Sequence, residues 1–189
     1  MKKNFFRLIL FAMVLMTAGT VFAAKATPDQ QRAELDEMRG KVLERVYQKY
    51  PGARSAVANA YAYCTISASA VKLGFFGDDH GRGVAVNNNT GEKIYVKMKE
   101  VSVGLNFGAK EYDLLFLIAN KQAWDRFISG SIKFGSEVSA QASDGVNGGT
   151  FADATIVANG VWVYQLDKKG LAVEFSMKGA RISPYRTLN

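Results

Sequence analysis

Cysteine and histidine are almost missing from this chain: Cys64 and His80 are the sole examples of each in 189 residues. One cysteine rules out an internal disulfide, so packing alone must hold the fold. Set among Tyr61, Tyr63 and Ile66, it reads as a buried, inert thiol, with an intermolecular disulfide as the alternative. One histidine rules out a histidine-based metal cluster. A Ser-His-Asp triad would have to centre on His80, and its sequence neighbours Asp78 and Asp79 would have to converge with it on one substrate atom, which adjacent loop residues rarely do. Zinc spacings, a phosphate-binding loop and a calcium loop are also missing. The stretch VSVG around Ser102 lacks the first glycine of a nucleophile elbow. No catalytic residue, metal or cofactor is expected.

A long apolar run is lacking too. The best candidate, LILFAMVLM at 8–16, follows Lys2, Lys3 and Arg7 and precedes Val21-Phe22-Ala23. A bilayer span needs roughly 20 apolar residues. A positive start, a short apolar stretch and small residues at the cut read instead as a secretory signal over 1–23. The mature chain then starts near Ala24 as an exported, periplasmic or envelope-associated protein. Removing those three basic residues, with no acidic one lost, lowers the net charge from +7 to +4. That is too weak for a nucleic-acid binder, but it favours anionic surfaces.

What is present begins with a helix. Thr27-Pro28-Asp29-Gln30 is a capping box with proline at the first helical position. Leu35, Met38, Val42 and Val46 recur at helical spacing as far as Lys49, and Tyr50 before Pro51 ends the helix. A second short helix is expected over 53–59, feeding a strand at 61–66. Strands follow at 71–76 and 83–87, joined by GDDHGRG as a loop, and Asn88 to Gly91 turn the chain into a strand at 92–98. There Ile94, Val96 and Met98 face in, while Lys93, Tyr95 and Lys97 face out.

Residues 101–109 alternate large apolar with small or polar, and 112–119 (YDLLFLIA) are almost wholly apolar. The first pattern is a one-faced strand, the second a strand covered on both sides; we expect them to pair. Asn120 caps a short helix with Ala123, Trp124, Phe127 and Ile128 inside, and Gly130 ends it. A strand at 134–142, a loop at 143–150, a hairpin of 161–166 with 171–177, and an edge strand before Pro184 complete the chain. The predicted class is α+β: N-terminal helices, then a mostly antiparallel sheet or partly closed barrel with one inserted helix. The units expected are a signal at 1–23, an amphipathic helix at 24–52 and one domain at 53–189.

Binding features are basic. Lys41, Arg45 and Lys49, at i, i+4, i+8, form a stripe beside Met38, Val42 and Val46, the pattern of an interfacial membrane helix. The same residues also read as a solvated face: acidic residues crowd the helix start and basic ones its end, as the dipole favours, and Glu37 stands four before Lys41. Each basic residue near an anionic bilayer contributes about 1 kcal/mol, so three or four do not anchor the chain alone. Lys93, Tyr95 and Lys97, with Lys99 nearby, make a second basic face. The glycines Gly74, Gly77, Gly81 and Gly83 precede a strand instead of a helix, so they read as close-packing residues and not as a phosphate cradle.

Four stretches taken in order, VKLGFFGDDHGRGVAV, VSVGLNFGAKEYDLLFL, AWDRFISGSIKFGSEVSAQA and KKGLAVEFSMKGARISPYR, resemble the SYLF domain family, over roughly 53–186. Ser67 and Ser69 stand where the family pattern has proline, and Asn106 and Lys110 where it has glutamine. The resemblance implies a non-enzymatic lipid-binding domain of the bacterial exported branch. Phosphoinositide and actin binding belong to eukaryotic members; in a periplasm the ligand would be phosphatidylglycerol or cardiolipin. The candidate lipid contacts are Lys41, Arg45, Lys49, Lys72, Arg82, Lys93 and Lys97. The expected partner is anionic phospholipid; the alternative is an envelope protein partner without a lipid ligand.

Overall fold

Unbroken apolarity from Leu114 to Ile118 marks the core of the molecule: these five residues are completely buried, and Tyr112 and Asp113 before them are buried too. A computed structural model describes residues 26–73, 76–103, 108–134, 151, 153–169 and 180–189. Helix α1 (Pro28–Lys49) and helix α2 (Ala53–Asn59) come first. The strands are β1 (Ala62–Leu73), β2 (Phe76–Asn87), β3 (Lys93–Val103), β4 (Gly108–Ile118), β5 (Thr155–Ala158), β6 (Val161–Asp167) and β7 (Arg181–Pro184), with helix α3 (Lys121–Ser129) after β4. They form one seven-stranded antiparallel half-barrel in the order β5-β6-β4-β1-β2-β3-β7.

Each helix starts and stops where its caps dictate. Thr27 and Gln30 exchange backbone-to-side-chain hydrogen bonds at the start of α1. Asn120 Oδ1 accepts from the Ala123 amide at 2.9 Å, and Gly130, at φ 71°, closes α3 in the left-handed region open to glycine. Because strand side chains alternate, the sheet buries two faces. One carries Cys64, Ile66, Val96, Met98, Leu114, Phe116 and Ile118 against Trp124, Phe127 and Phe134. On the other, Tyr63, Leu115, Leu117, Tyr164 and Leu166 meet Val42 and Val46 of α1 and Ala53 to Val57 of α2. Leu35 packs there too, against Val84, Tyr95 and Leu188. Cys64 is fully buried and free, and burial raises its thiol pKa.

Several expectations need correcting. Residues 77–83 are strand, not loop: β1 and β2 form one long hairpin, in register from Ala62 with Asn87 to Leu73 with Phe76. The reason lies in the packing. A Cβ on Gly83 would stand 1.9 Å from the Thr65 carbonyl oxygen, and one on Gly81 2.7 Å from Ile66 Cγ2. These glycines let two strands and a large side chain close up, and their turn-like composition is a by-product. Of the strand expected over 101–109, Val101 to Val103 belong to β3 and Gly108 and Ala109 to β4, and 104–107 lie outside the described residues. Nor do β3 and β4 pair; β4 lies between β1 and β6, where the five apolar side chains from Leu114 to Ile118 are covered on both sides. Tyr95 does point away from Val96 and Met98, but α1 and the C-terminal residues cover it, leaving it 9% exposed. Strand β6 pairs with the unforeseen β5 through the Asn159-Gly160 turn. The expected signal at 1–23, all of the strand expected at 134–142 except Phe134, the loop at 143–150 and the strand at 171–177 lie outside the described residues. Among those described, no helix is long and apolar enough to cross a membrane.

Candidate functional site

Beside α1 the same sheet face turns polar. Antiparallel partners point to the same side, so the register places Asp113, Ser67, Arg82, Lys97 and Ser183 in one row across β4, β1, β2, β3 and β7. Two residues further along, Lys99 of β3 is opposite Arg181 of β7. Both Arg82 with Lys97 and Lys99 with Arg181 are like-charge rungs, an arrangement that destabilises a sheet unless something offsets it. These residues border a cavity of about 880 Å³. Among the described residues its charged lining is Arg82, Lys97, Lys99, Lys168 and Arg181, with Glu111 as the acid. Leu35 and Met38 of α1 and Tyr185 supply an apolar wall, and the Arg82 guanidinium lies 5.8 Å from the Tyr185 ring centroid, near the outer limit for cation–π attraction. A cleft lined mainly by one sign of charge focuses its field and concentrates counter-ions.

One end of the row is closed by a buried charge cluster. Asp113 is fully buried. It accepts from Arg45 Nε at 2.8 Å and from Lys168 Nζ at 2.8 Å, and Lys168 also donates to Ser67 Oγ. A buried carboxylate needs such partners, because an unpaired ion there would be strongly unfavourable.

The seven sequence candidates therefore divide. Arg82 and Lys97 are brought together at the cavity. Arg45 turns away from the helix's outer face to hold Asp113, so Lys41, Arg45 and Lys49 do not form one outward stripe. Lys41 is exposed and pairs with Glu37 at 2.6 Å, and Lys49 is exposed. Lys93 reaches Asp36 of α1 at 3.1 Å. Burial pushes the Asp36 carboxyl pKa up, but the hydrogen bond and charge of Lys93, the Tyr95 hydroxyl and Arg39 outweigh it, so it sits below its usual range. Lys72 stands in register with Gly77 and Gly108 towards the far end of β1. Sequence reasoning missed Lys168 and Arg181, which reach the cavity only through the β4–β6 and β3–β7 pairings. Among the described residues no group of three or more His, Cys, Asp or Glu is placed to hold a metal.

Residues 99–189 match the family described as Ysc84: Las17-binding protein actin regulator. Over that segment the chain is similar to the Ysc84 (SYLF) domain family. This family is associated with lipid binding and is generally non-catalytic. The chain is also 28% identical over 156 residues to Beta cell expansion factor A of Aeromonas veronii. That alignment covers 82% of this chain and 58% of the relative. The matched segment opens inside β3, yet β1 and β2 stand between β3 and β4 in the sheet. The sheet to which the matched segment belongs is thus completed by strands that precede the match.

Proposed function

We propose that this is an exported, non-enzymatic protein that contacts anionic phospholipid at a membrane surface, through a unit that spans 53–189 with α1 laid across it. The reading rests above all on the five basic side chains gathered at one cavity on the α1 side of the sheet. The family's association with lipid binding supports it. Lys41 and Lys49, exposed on α1, add general attraction to an anionic surface. Arg45 and Lys93, engaged by Asp113 and Asp36, orient α1 instead. A periplasmic location follows from the N-terminal pattern and would offer phosphatidylglycerol or cardiolipin as the anionic lipid.

Co-sedimentation of the purified protein with phosphatidylglycerol and phosphatidylcholine vesicles tests this. Binding to the first alone, falling as salt rises, is expected because screening weakens exposed charge. Equal binding to both would overturn it. A second reading, an envelope module that binds a protein and no lipid, is favoured by the family description itself, which names a Las17-binding member. It requires pull-down of an envelope protein together with no vesicle binding.

A further inference from the structure

We infer that the basic cavity takes one anionic phospholipid molecule: its phosphate against the two like-charge rungs, the glycerol end of its chains along Leu35, Met38 and Tyr185. This rests on the lipid-binding reading above and goes beyond it, since attraction to a bilayer needs no cavity.

Three observations carry it. The first is size. About 880 Å³ falls in the range of roughly 300–1,000 Å³ typical of sites for whole small molecules, well beyond what a lone phosphate ion fills. The second is the arrangement of charge. Arg82 with Lys97 and Lys99 with Arg181 lie on one sheet face, two residues apart along β3, and all four line the cavity. Arginine there can grip two phosphate oxygens at once, and a bound anion would offset the repulsion of Arg82 against Lys97. The third is that the walls differ. Cations lie on the sheet, while Leu35 and Met38 come from α1. A ligand that satisfies both walls is charged at one end and apolar at the other. Inorganic phosphate lacks the apolar end, and neutral lipid lacks the net charge. The cavity is assembled from α1, five strands of the sheet and the residues flanking β6 and β7, so its geometry is set by the fold and not by one loop.

Isothermal titration of the purified protein with dihexanoyl-phosphatidylglycerol, kept below its micelle concentration, reads this directly. We expect saturable binding of one lipid per chain, no saturation with dihexanoyl-phosphatidylcholine, and weaker binding of inorganic phosphate. Arg82→Gln/Lys97→Gln should weaken binding about tenfold or more, and so should Lys99→Gln/Arg181→Gln on the neighbouring rung. Lys121→Gln/Lys133→Gln, which removes the same charge outside the cavity lining, should leave it unchanged. Matching urea midpoints establish that the variants are folded. If the protein binds anionic vesicles but not the monomeric lipid, or if the rung variants bind as the parent does, the single-molecule site is wrong and the membrane reading survives. Phosphate bound as tightly as the lipid makes this a phosphate site and overturns the inference. Binding to neither vesicles nor monomers overturns both.

Discussion

Arg45 of α1 and Asp113 of β4 stand 68 residues apart in sequence, and Nε of the one donates to Oδ2 of the other at 2.8 Å. Asp113 is fully buried, whereas Arg45 keeps about a third of its side chain exposed. With Lys168 as the second partner at 2.8 Å, this carboxylate ties α1 and the residues after β6 to the central strand.

The cluster predicts an order of stabilities. Asp113→Ala strands two cations at once and should cost about 3–5 kcal/mol, as breaking a buried ion pair does. Arg45→Ala leaves Lys168 on Asp113, and its loss should be smaller, about 1–3 kcal/mol. Urea unfolding of the two variants checks the order; equal losses would mean that Lys168 does not support Asp113.

Two glycines should respond in opposite senses. Gly83→Ala drives a methyl group into the Thr65 carbonyl oxygen, 1.9 Å away, and should lower stability by about 3 kcal/mol or more. Gly40→Ala, in the exposed middle of α1 with no atom within 4 Å of the added Cβ, should raise it by about 0.5–1 kcal/mol. Shifts of the urea midpoint read both.

Alkaline pH should destabilise the fold. Burial raises the Cys64 thiol; burial, then the charge of Asp153 and the ring of Tyr50, push Tyr164 up to about 12. The unfolded chain releases these protons near about 8.5 and 10. Above those values the native state holds more protons than the unfolded state, so stability falls with rising pH. The contribution is complete below the unfolded values; for Tyr164 it is lost between about 10 and about 12. Urea midpoints should decline from about pH 8.5 upward, and Tyr164→Phe should flatten the part above about pH 10. In the native state Cys64 should resist thiol reagents at mildly alkaline pH and react once urea unfolds the chain.

Local chemistry explains what could be read from the chain alone. The limits of α1 and α3 follow from Thr27, Gln30, Asn120 and Gly130, because caps act within a few residues. Strand β4 was visible because burial on both faces leaves no polar position between Leu114 and Ile118. The β1–β2 hairpin was hidden, since Gly81 and Gly83 serve contacts with Ile66 and Thr65 that composition cannot separate from a turn. Alternation through 101–109 runs across the junction of β3 and β4, so periodicity alone joined two strands that are not neighbours. The cavity was half legible. Arg82 and Lys97 stood out as basic residues, but their pairing depends on register, and Lys168 and Arg181 enter through long-range strand order. The helical stripe misled at Arg45 because its partner lies in β4, beyond the reach of helical spacing.

The most direct test of a cationic cavity as the lipid site is vesicle partitioning of two charge-matched variants, Arg82→Gln/Lys97→Gln and Lys41→Gln/Lys49→Gln. Each removes two positive charges from the α1 side, so general attraction, at about 1 kcal/mol per basic residue, would weaken both alike. The account predicts that binding to phosphatidylglycerol vesicles falls several-fold further in the Arg82/Lys97 variant. Equal losses in the two, or a larger loss in the Lys41/Lys49 variant, would contradict it.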